Sequence, residues 1–183
     1  YYFFDGEGER SVIRRLVKEY KRFWSDRNIN KVDSMNLTQH QIVTLASIIE
    51  GEAIYDSERP IISAVYHNRL KRGMKLQADP TVQYIIKDGP RRLLNKDLKI
   101  KSPYNTYLYQ GLPPGPINSP GFESLKAAIN PEENDYLYFV AKGDGYHTFS
   151  KNEKDHERAK RAFQRVRRKV KNERMDHGSK NTQ

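Results

Sequence analysis

Two glutamates on one predicted helix are the residues of this sequence best suited to chemistry. Glu50 and Glu52 lie in the run 45–53, where apolar residues recur with the spacing of an α-helix. At about 100° per residue the two acids fall on opposite flanks of a narrow apolar stripe. The stripe is formed by Ile42, Ala46, Ile49 and Ala53, and the residues predicted to face away from it are Thr44, Ser47 and Gly51. A carboxyl group at the edge of an apolar face is partly desolvated, which raises its pKa and suits it to donate a proton. The alternative is that both acids merely border a solvated face.

Other kinds of reactive site find little support in the sequence. The chain has no cysteine, which excludes disulfides, thiolate nucleophiles and cysteine-bound zinc. None of the five histidines has the zinc-type HExxH spacing, so no metal site is expected. There is no GxSxG nucleophile motif, and the run 143–145 resembles a hairpin turn rather than a phosphate loop. The sequence therefore predicts neither a metal nor a cofactor.

Acid catalysis on a glycosidic bond remains open. Cleavage needs a proton at the leaving oxygen, and a pair of carboxyl groups commonly does this work. One acid suffices when the sugar itself supplies the nucleophile. Asp79 is a further candidate partner, although the Asp79-Pro80 sequence also suits a helix N-terminus, where the aspartate would serve as a cap.

The composition bounds the architecture and the partners. The chain has 183 residues, enough for one domain, and a net charge of +10 from 33 basic and 23 acidic residues. Such an excess favours an anionic partner, whether nucleic acid, anionic lipid or an acidic polymer. No run approaches the ~20 apolar residues needed to span a bilayer. The abrupt start at Tyr1, without methionine, suggests a piece of something longer.

The predicted elements are mainly helical. Helices are expected over 11–24, from residue 38 to about 53, from 56 to 73, over 79–86, from 119 to 130 and from 154 to about 174, with a loop at 28–34 and a hairpin over 136–150. Prolines and glycines make residues 99–120 a long, stiffened loop, which suits either a binding groove or a structural connector. The predicted class is α+β: a mainly helical catalytic domain with a small β-hairpin and a long Pro/Gly-rich groove loop. We expect a lead-in at 1–36, the catalytic domain at 37–175 and a disordered tail at 176–183.

Five ordered sequence blocks resemble the endolytic murein transglycosylases, the MltG/YceG-like family. The blocks are LASIIEGE at 45–52, the segments 65–70 and 73–82, the segments 104–107 and 111–117, the segments 119–121 and 124–128, and the segments 138–141 and 147–149. The resemblance covers roughly residues 37–165. Any single block would be weak, but five in the same order make a specific match.

The resemblance implies a particular reaction and location. Such enzymes cleave inside peptidoglycan glycan strands, between N-acetylmuramic acid and N-acetylglucosamine, without water or a cofactor. The muramyl 6-hydroxyl attacks its own anomeric carbon and leaves a 1,6-anhydro end, which would terminate a growing strand. Family members are usually tethered by an N-terminal helix to the cytoplasmic membrane and act on its outer, periplasmic face beside peptidoglycan synthases. Such an anchor would lie outside this chain.

The resemblance also assigns roles to residues. Glu50 matches the catalytic glutamate, which acts as general acid and then as general base, and Glu52 matches a supporting acid. Gly51 stands where the familiar pattern has lysine, which removes a charge beside Glu50. The residues that match the substrate groove are Asn68, Gln77, Asp79, Thr81, Tyr104, Asn105, Thr106, Tyr107, His147 and Phe149. For each of these ten a structural role, such as capping, turn formation or core packing, is an open alternative.

Two other functions compete with catalysis. A non-catalytic binder of cell-wall glycan could use the same groove, although it has no need of an acid on an apolar stripe. A nucleic-acid binder could use the basic last helix, but only Phe163 interrupts its basic residues and no recognised motif is present. A solvated helix, or one near anionic lipid headgroups, explains that charge better, so nucleic acid is not an expected partner.

Overall fold

The described part of the chain contains seven α-helices, two short 3-10 helices (Asp56–Glu58 and Asp97–Lys99) and one small antiparallel sheet. The computed structural model describes residues 2–89 and 91–180, with side chains as far as residue 168. The helices are α1 (Glu9–Phe23), α2 (Asp26–Ser34), α3 (Gln39–Glu52), α4 (Arg59–Lys71), α5 (Asp79–Ile85), α6 (Phe122–Ile129) and α7 (Glu153–Lys180), and the strands are β1 (Tyr138–Ala141) and β2 (His147–Ser150). This confirms a mainly helical α+β fold with a hairpin. Within the described residues no helix is both long and apolar enough to cross a bilayer.

Helix α3 is the centre of the fold. It starts with the predicted capping box: the backbone N–H of Gln41 donates to Thr38 Oγ1 at 3.2 Å, and the backbone N–H of Thr38 donates to Gln41 Oε1 at 2.8 Å. The helix packs against α2, α4, α5 and α6. Most of its apolar side chains, among them Ile42, Leu45 and Ile49, are fully buried. The two glutamates at its C-terminal end are therefore carried on an element whose position is fixed from several sides.

The expectation that Thr44 and Ser47 face away from the core is wrong, because both are buried. The long loop covers this side of α3: the Ile117 amide donates to Ser47 Oγ at 3.0 Å, and Asn118 Nδ2 donates to the Ser47 carbonyl at 2.8 Å. Residues 100–118 contain no helix or strand, as predicted, but α6 begins at Phe122 rather than at the predicted residue 119. Its structural role is thus to cover the central helix.

Helix α4 joins the core to the hairpin through a buried arginine. Arg69 Nε donates to the Leu137 carbonyl, just before β1, at 2.6 Å, and its Nη1 donates to the Leu76 carbonyl, just before α5, at 2.7 Å. In the hairpin Phe139 pairs with Phe149, in the predicted antiparallel arrangement. One guanidinium thus holds the sheet and the start of α5 in a fixed relation to α4.

Several other predicted boundaries differ from the structure. The predicted loop 28–34 belongs to helix α2, because Val32 is buried in the core and tertiary packing outweighs the weak helix propensity of the segment. Asp79 is the first residue of α5 rather than its cap, which is Ala78. Helix α7 continues to Lys180, past the predicted end near residue 174 and into the expected tail at 176–183, of which residues 181–183 lie outside the described residues.

Candidate active site

Glu50 is held by three donors that all contact the same carboxylate oxygen. Its Oε2 accepts hydrogen bonds from Ser124 Oγ at 2.6 Å, from Arg59 Nη1 at 3.2 Å and from the Gly121 amide at 3.2 Å. No hydrogen bond joins Oε1 to any residue that the structure describes, and the side chain is 33% exposed. The carboxyl group is therefore fixed in orientation while one of its oxygens remains available to a ligand.

Arg59 and Ser124 are themselves fixed. Arg59 Nη1 also donates to Ser124 Oγ at 2.5 Å, and its Nε donates to Asp56 Oδ1 at 2.7 Å. Ser124 lies in α6 and is fully buried, and the Arg59 side chain is only 10% exposed. Charge-assisted hydrogen bonds of this kind stabilise a carboxylate when it loses its proton. The arrangement therefore suits a carboxyl group that must give up a proton and later take one back.

The side chain of Glu52, the last residue of α3, lies in surroundings different from those of Glu50. Burial raises the pKa of its carboxyl group to about 7, and the nearby charge of Asp79 acts in the same direction, while a hydrogen bond from Tyr66 opposes the shift. The Tyr66 hydroxyl donates to Glu52 Oε1 at 2.9 Å. Burial in turn raises the pKa of Tyr66, so this hydroxyl stays protonated and remains a donor. Near neutral pH, Glu52 is therefore a group that keeps a proton in part of the population.

Several residues predicted to line the groove gather near Glu52. The Tyr107 hydroxyl donates to Asp79 Oδ1, and burial together with that aspartate raises the pKa of Tyr107. Gln77 adopts the left-handed backbone region, with φ 48°, and its backbone N–H donates to the Thr106 carbonyl at 3.1 Å. The structure thus brings Glu52, Asp79 and Tyr107 to one side of the end of α3, with Gln77 two residues before Asp79.

Three other predicted residues lie beneath this surface. Thr81 Oγ1 and Thr106 Oγ1 are 2.9 Å apart and both are buried, and Thr106 Oγ1 also accepts the Ala78 amide at 3.0 Å. Asn105 is buried and donates Nδ2 to the carbonyls of Leu98 and Ile100. Their contacts shape the loop and the start of α5.

The remaining predicted residues are spread over the molecule. Asn68 donates Nδ2 to the Asn134 carbonyl at 2.9 Å and to the Tyr136 carbonyl at 3.0 Å. Phe149 lines a cavity of about 610 Å³ between the hairpin and α7, whose lining does not include Glu50 or Glu52.

His147 and Tyr104 have partners of their own. His147 is bound twice by Glu58: its amide donates to Oε1 at 2.9 Å, and its Nδ1 lies 2.8 Å from Oε2. Tyr104 packs at an angle against Tyr84, with ring centroids 4.9 Å apart. Among the described residues no group of three His, Asp or Glu side chains is placed to hold a metal ion.

Comparison with known proteins decides the family. Residues 1–162 match the model of the YceG-like family. The chain belongs to the YceG-like family. It is 42% identical over 156 residues to a protein of Bacillus subtilis named endolytic murein transglycosylase, a match that covers 83% of this chain and 42% of that protein. A Streptococcus pneumoniae protein of the same name is 36% identical over 160 residues, covering 82% of this chain and 29% of that protein.

A solved structure agrees with the family assignment. A yceG-like protein of Listeria monocytogenes, known from a crystal structure, is 38% identical and superposes with a TM-score of 0.74 over 86% of this chain and 51% of its own. The YceG-like chain thus spans about half, or less, of the length of these relatives.

Sequence reasoning missed the partners of Glu50 in this YceG-like domain. Arg59, Ser124 and Gly121 were not singled out as site residues, and the latter two lie more than 70 positions from Glu50. No spacing rule connects residues that far apart. Arg59, at the start of a helix nine positions beyond Glu50, offered the only sequence signal: a cation within reach of an acid on a partly apolar helix.

Proposed function

We propose that this chain is the catalytic part of an endolytic lytic transglycosylase that cleaves the β-1,4 bond between N-acetylmuramic acid and N-acetylglucosamine in nascent glycan strands. The names of the Bacillus and Streptococcus relatives support the reaction class. The observation that carries the assignment to a residue is the carboxyl group of Glu50, which is anchored through Oε2 and has Oε1 available. A non-catalytic glycan binder has no need for a carboxyl group held in this way.

The proposed reaction uses Glu50 twice. Protonated Glu50 gives its proton to the glycosidic oxygen as the bond between that oxygen and the muramyl anomeric carbon breaks. The resulting carboxylate then takes the proton of the muramyl 6-hydroxyl while that oxygen bonds to the same anomeric carbon. The products are a free N-acetylglucosamine hydroxyl and a 1,6-anhydro end. No water is consumed, and Glu50 ends the cycle protonated.

The neighbours of Glu50 fit this cycle. Arg59, Ser124 and the Gly121 amide stabilise the carboxylate that forms halfway. Because all three contact Oε2, Oε1 is the oxygen placed to exchange protons with the substrate. Glu52, with Asp79 and Tyr107 beside it, serves as a supporting acid on the other side of Gly51.

The cellular setting is part of the same proposal. Cleavage of the glycan strand would end elongation of new peptidoglycan beside the synthases, on the outer face of the cytoplasmic membrane. An N-terminal anchor outside this chain would supply membrane attachment. The matched regions cover 42% of the Bacillus protein and 29% of the Streptococcus protein, which leaves room for such a segment in them.

Mass spectrometry of digested sacculi tests the function. The wild-type chain should release fragments with 1,6-anhydro ends, and Glu50→Gln should reduce the rate by about 10²–10⁴-fold, the usual effect of losing a proton-transfer group. Glu19→Gln, a change in α1, is the matched control and should retain the wild-type rate. Reducing ends would indicate a hydrolase, and binding of sacculi without soluble fragments would indicate a binding module.

A further inference from the structure

Two exposed tyrosines are stacked at the end of α3. The rings of Tyr55 and Tyr146 have centroids 4.2 Å apart and planes inclined by 18°. Tyr55 is 39% and Tyr146 38% exposed, so each ring keeps a large accessible area. Tyr55 follows α3 by three residues, and Tyr146 lies in the hairpin turn directly before β2.

A chain of ion pairs and hydrogen bonds connects this pair to Glu50. Arg59, which holds Glu50, also holds Asp56, the neighbour of Tyr55. Glu58, next to Arg59, binds His147, the neighbour of Tyr146, through two contacts. Both tyrosines are therefore fixed relative to the catalytic carboxyl group.

The hairpin turn does not depend on the Tyr146 ring. The Tyr146 amide donates to Asp144 Oδ1 at 2.9 Å, and its carbonyl accepts the Lys142 amide at 2.8 Å, so main-chain contacts close the turn. The turn is also shaped around Tyr55, since a Cβ on Gly145 would lie 2.8 Å from Tyr55 Cε2. The turn thus accommodates an exposed aromatic stack, to which it is joined by the Tyr55 hydroxyl, which donates to the Asp144 carbonyl at 3.4 Å.

A second aromatic pair is formed by one residue of α5 and one residue of the long loop. Tyr84, which is 51% exposed, contacts Tyr104. Tyr84 stands one turn after Pro80 in α5, and Pro80 packs directly on Gly51. The Tyr104 hydroxyl and the ring of His40, at the N-terminal end of α3, both approach the same glycine, Gly115.

Along the axis of α3, the two pairs lie toward opposite ends. Helix α3 has 14 residues and is therefore ~21 Å long. Tyr104 lies toward its N-terminal end, Tyr55 follows its C-terminal end, and Glu50 stands between them. The distance between the two pairs, which is set by the length of α3, spans several sugar units rather than one.

We propose that the Tyr55–Tyr146 stack and the Tyr84–Tyr104 pair are sugar-stacking platforms that hold pyranose rings of the glycan strand on the two sides of the bond next to Glu50. A pyranose ring has a C–H face that packs on an aromatic face, while its hydroxyl groups point to the edges. An enzyme that cuts inside a strand must hold sugars on both sides of the cut. The proposal rests on the proposed function and deepens it by naming where the strand lies.

Binding measured in an inactive background tests the platforms. In the Glu50→Gln chain, affinity for soluble glycan strands, prepared from sacculi by removing the peptides, is measured by calorimetry. Tyr146→Ala and Tyr84→Ala should each weaken binding about tenfold, the effect of losing one aromatic stacking contact. The combined variant should weaken it about a hundredfold, since distant sites act independently.

Matched variants separate stacking from folding. Tyr146→Phe and Tyr84→Phe keep the ring and should bind within about twofold of the parent. Tyr20→Ala removes a similarly exposed ring on α1, which lies edge-on to Trp24, and should leave binding unchanged. With Glu50 restored, the alanine variants should raise KM more than they lower kcat.

The outcomes also separate this inference from the proposed function. Alanine variants that bind glycan as well as their parent would overturn the platforms, as would a Glu50→Gln chain that binds no glycan. If binding depends on the rings but the wild-type chain yields no anhydro ends, the platforms stand and the transglycosylase assignment fails.

Discussion

Glu50 and Glu52, two residues apart on α3, direct their carboxyl groups into opposite electrostatic surroundings. Glu50 Oε2 receives a guanidinium, a hydroxyl and an amide, all of which stabilise negative charge. Glu52 is half-buried beside Tyr66 and Asp79, and desolvation raises its pKa to about 7. Environments that differ in this way give neighbouring acids different tasks. At neutral pH Glu52 keeps a proton in part of the population, whereas the proposed proton transfer to substrate belongs to Glu50.

Glu52 should make the folded state less stable as pH rises. Its carboxyl group titrates near 4.5 in an ordinary setting and near about 7 in the fold, so the folded state binds more protons between these values. The free energy of unfolding therefore falls as pH rises through this window, by at most about 1.4 kcal/mol per pH unit from this group. Glu52→Gln cannot titrate, so its stability relative to wild type should increase from pH 5 to pH 8.

Urea unfolding of both proteins at several pH values measures this difference. Glu133→Gln, in an exposed acid before the hairpin, serves as the control and should parallel the wild type at every pH. A Glu52→Gln curve that also parallels the wild type would show that burial does not perturb this group.

Ser124 should affect the rate rather than substrate binding. Ser124→Ala removes one donor to Glu50 Oε2 and leaves Arg59 with two of its three partners, Glu50 and Asp56. A hydrogen bond to a charged group contributes about 1.5–3 kcal/mol, so kcat should fall about 10–100-fold while KM changes little.

The release of anhydro ends measures the Ser124 effect, and Ser119→Ala, an exposed serine of the preceding loop, is the matched control. Because Ser124 acts through Glu50, the change should cost nothing further in a Glu50→Gln chain. An equal loss in both backgrounds would mean that Ser124 acts independently of Glu50.

Short-range features of the fold were predictable from the sequence. The capping box of Thr38 and Gln41 depends on residues three positions apart, and the hairpin depends on a local turn at 143–145. The burial of Ser47 was not predictable, because the residues that cover it lie about 70 positions away. Likewise, α2 forms because Val32 enters the core, which depends on tertiary packing.

The sequence predicts which acids belong to the candidate site, but it does not predict the residues that surround them. Helical spacing placed Glu50 and Glu52 on opposite flanks of α3, and they do take different directions. Their partners come from three other helices and from the long loop, so no local pattern shows which acid has the raised pKa. The resemblance to a family supplied the role of Glu50, and the structure supplied Arg59 and Ser124 as its partners.

Gly51 should be required for the packing of α5 on α3. A Cβ at this position would lie 2.6 Å from Pro80 Cβ and 2.9 Å from its Cγ, closer than side-chain atoms can approach. The proline ring is rigid, so Gly51→Ala forces α5 to move and should destabilise the fold by about 1–3 kcal/mol, despite the better helix propensity of alanine. The contact with Pro80 thus gives glycine at this position a packing reason.

Chemical unfolding measures the Gly51 effect against Gly8→Ala. No atom lies within 4 Å of a Cβ on Gly8, whose φ of −67° suits alanine, so only a weak N-cap preference of about 0.5 kcal/mol is lost there. Pro80→Gly removes the ring that the added methyl group would meet, and in that background Gly51→Ala should become neutral or stabilising. If Gly51→Ala costs the same with and without the proline ring, contact between the two helices is not what selects glycine.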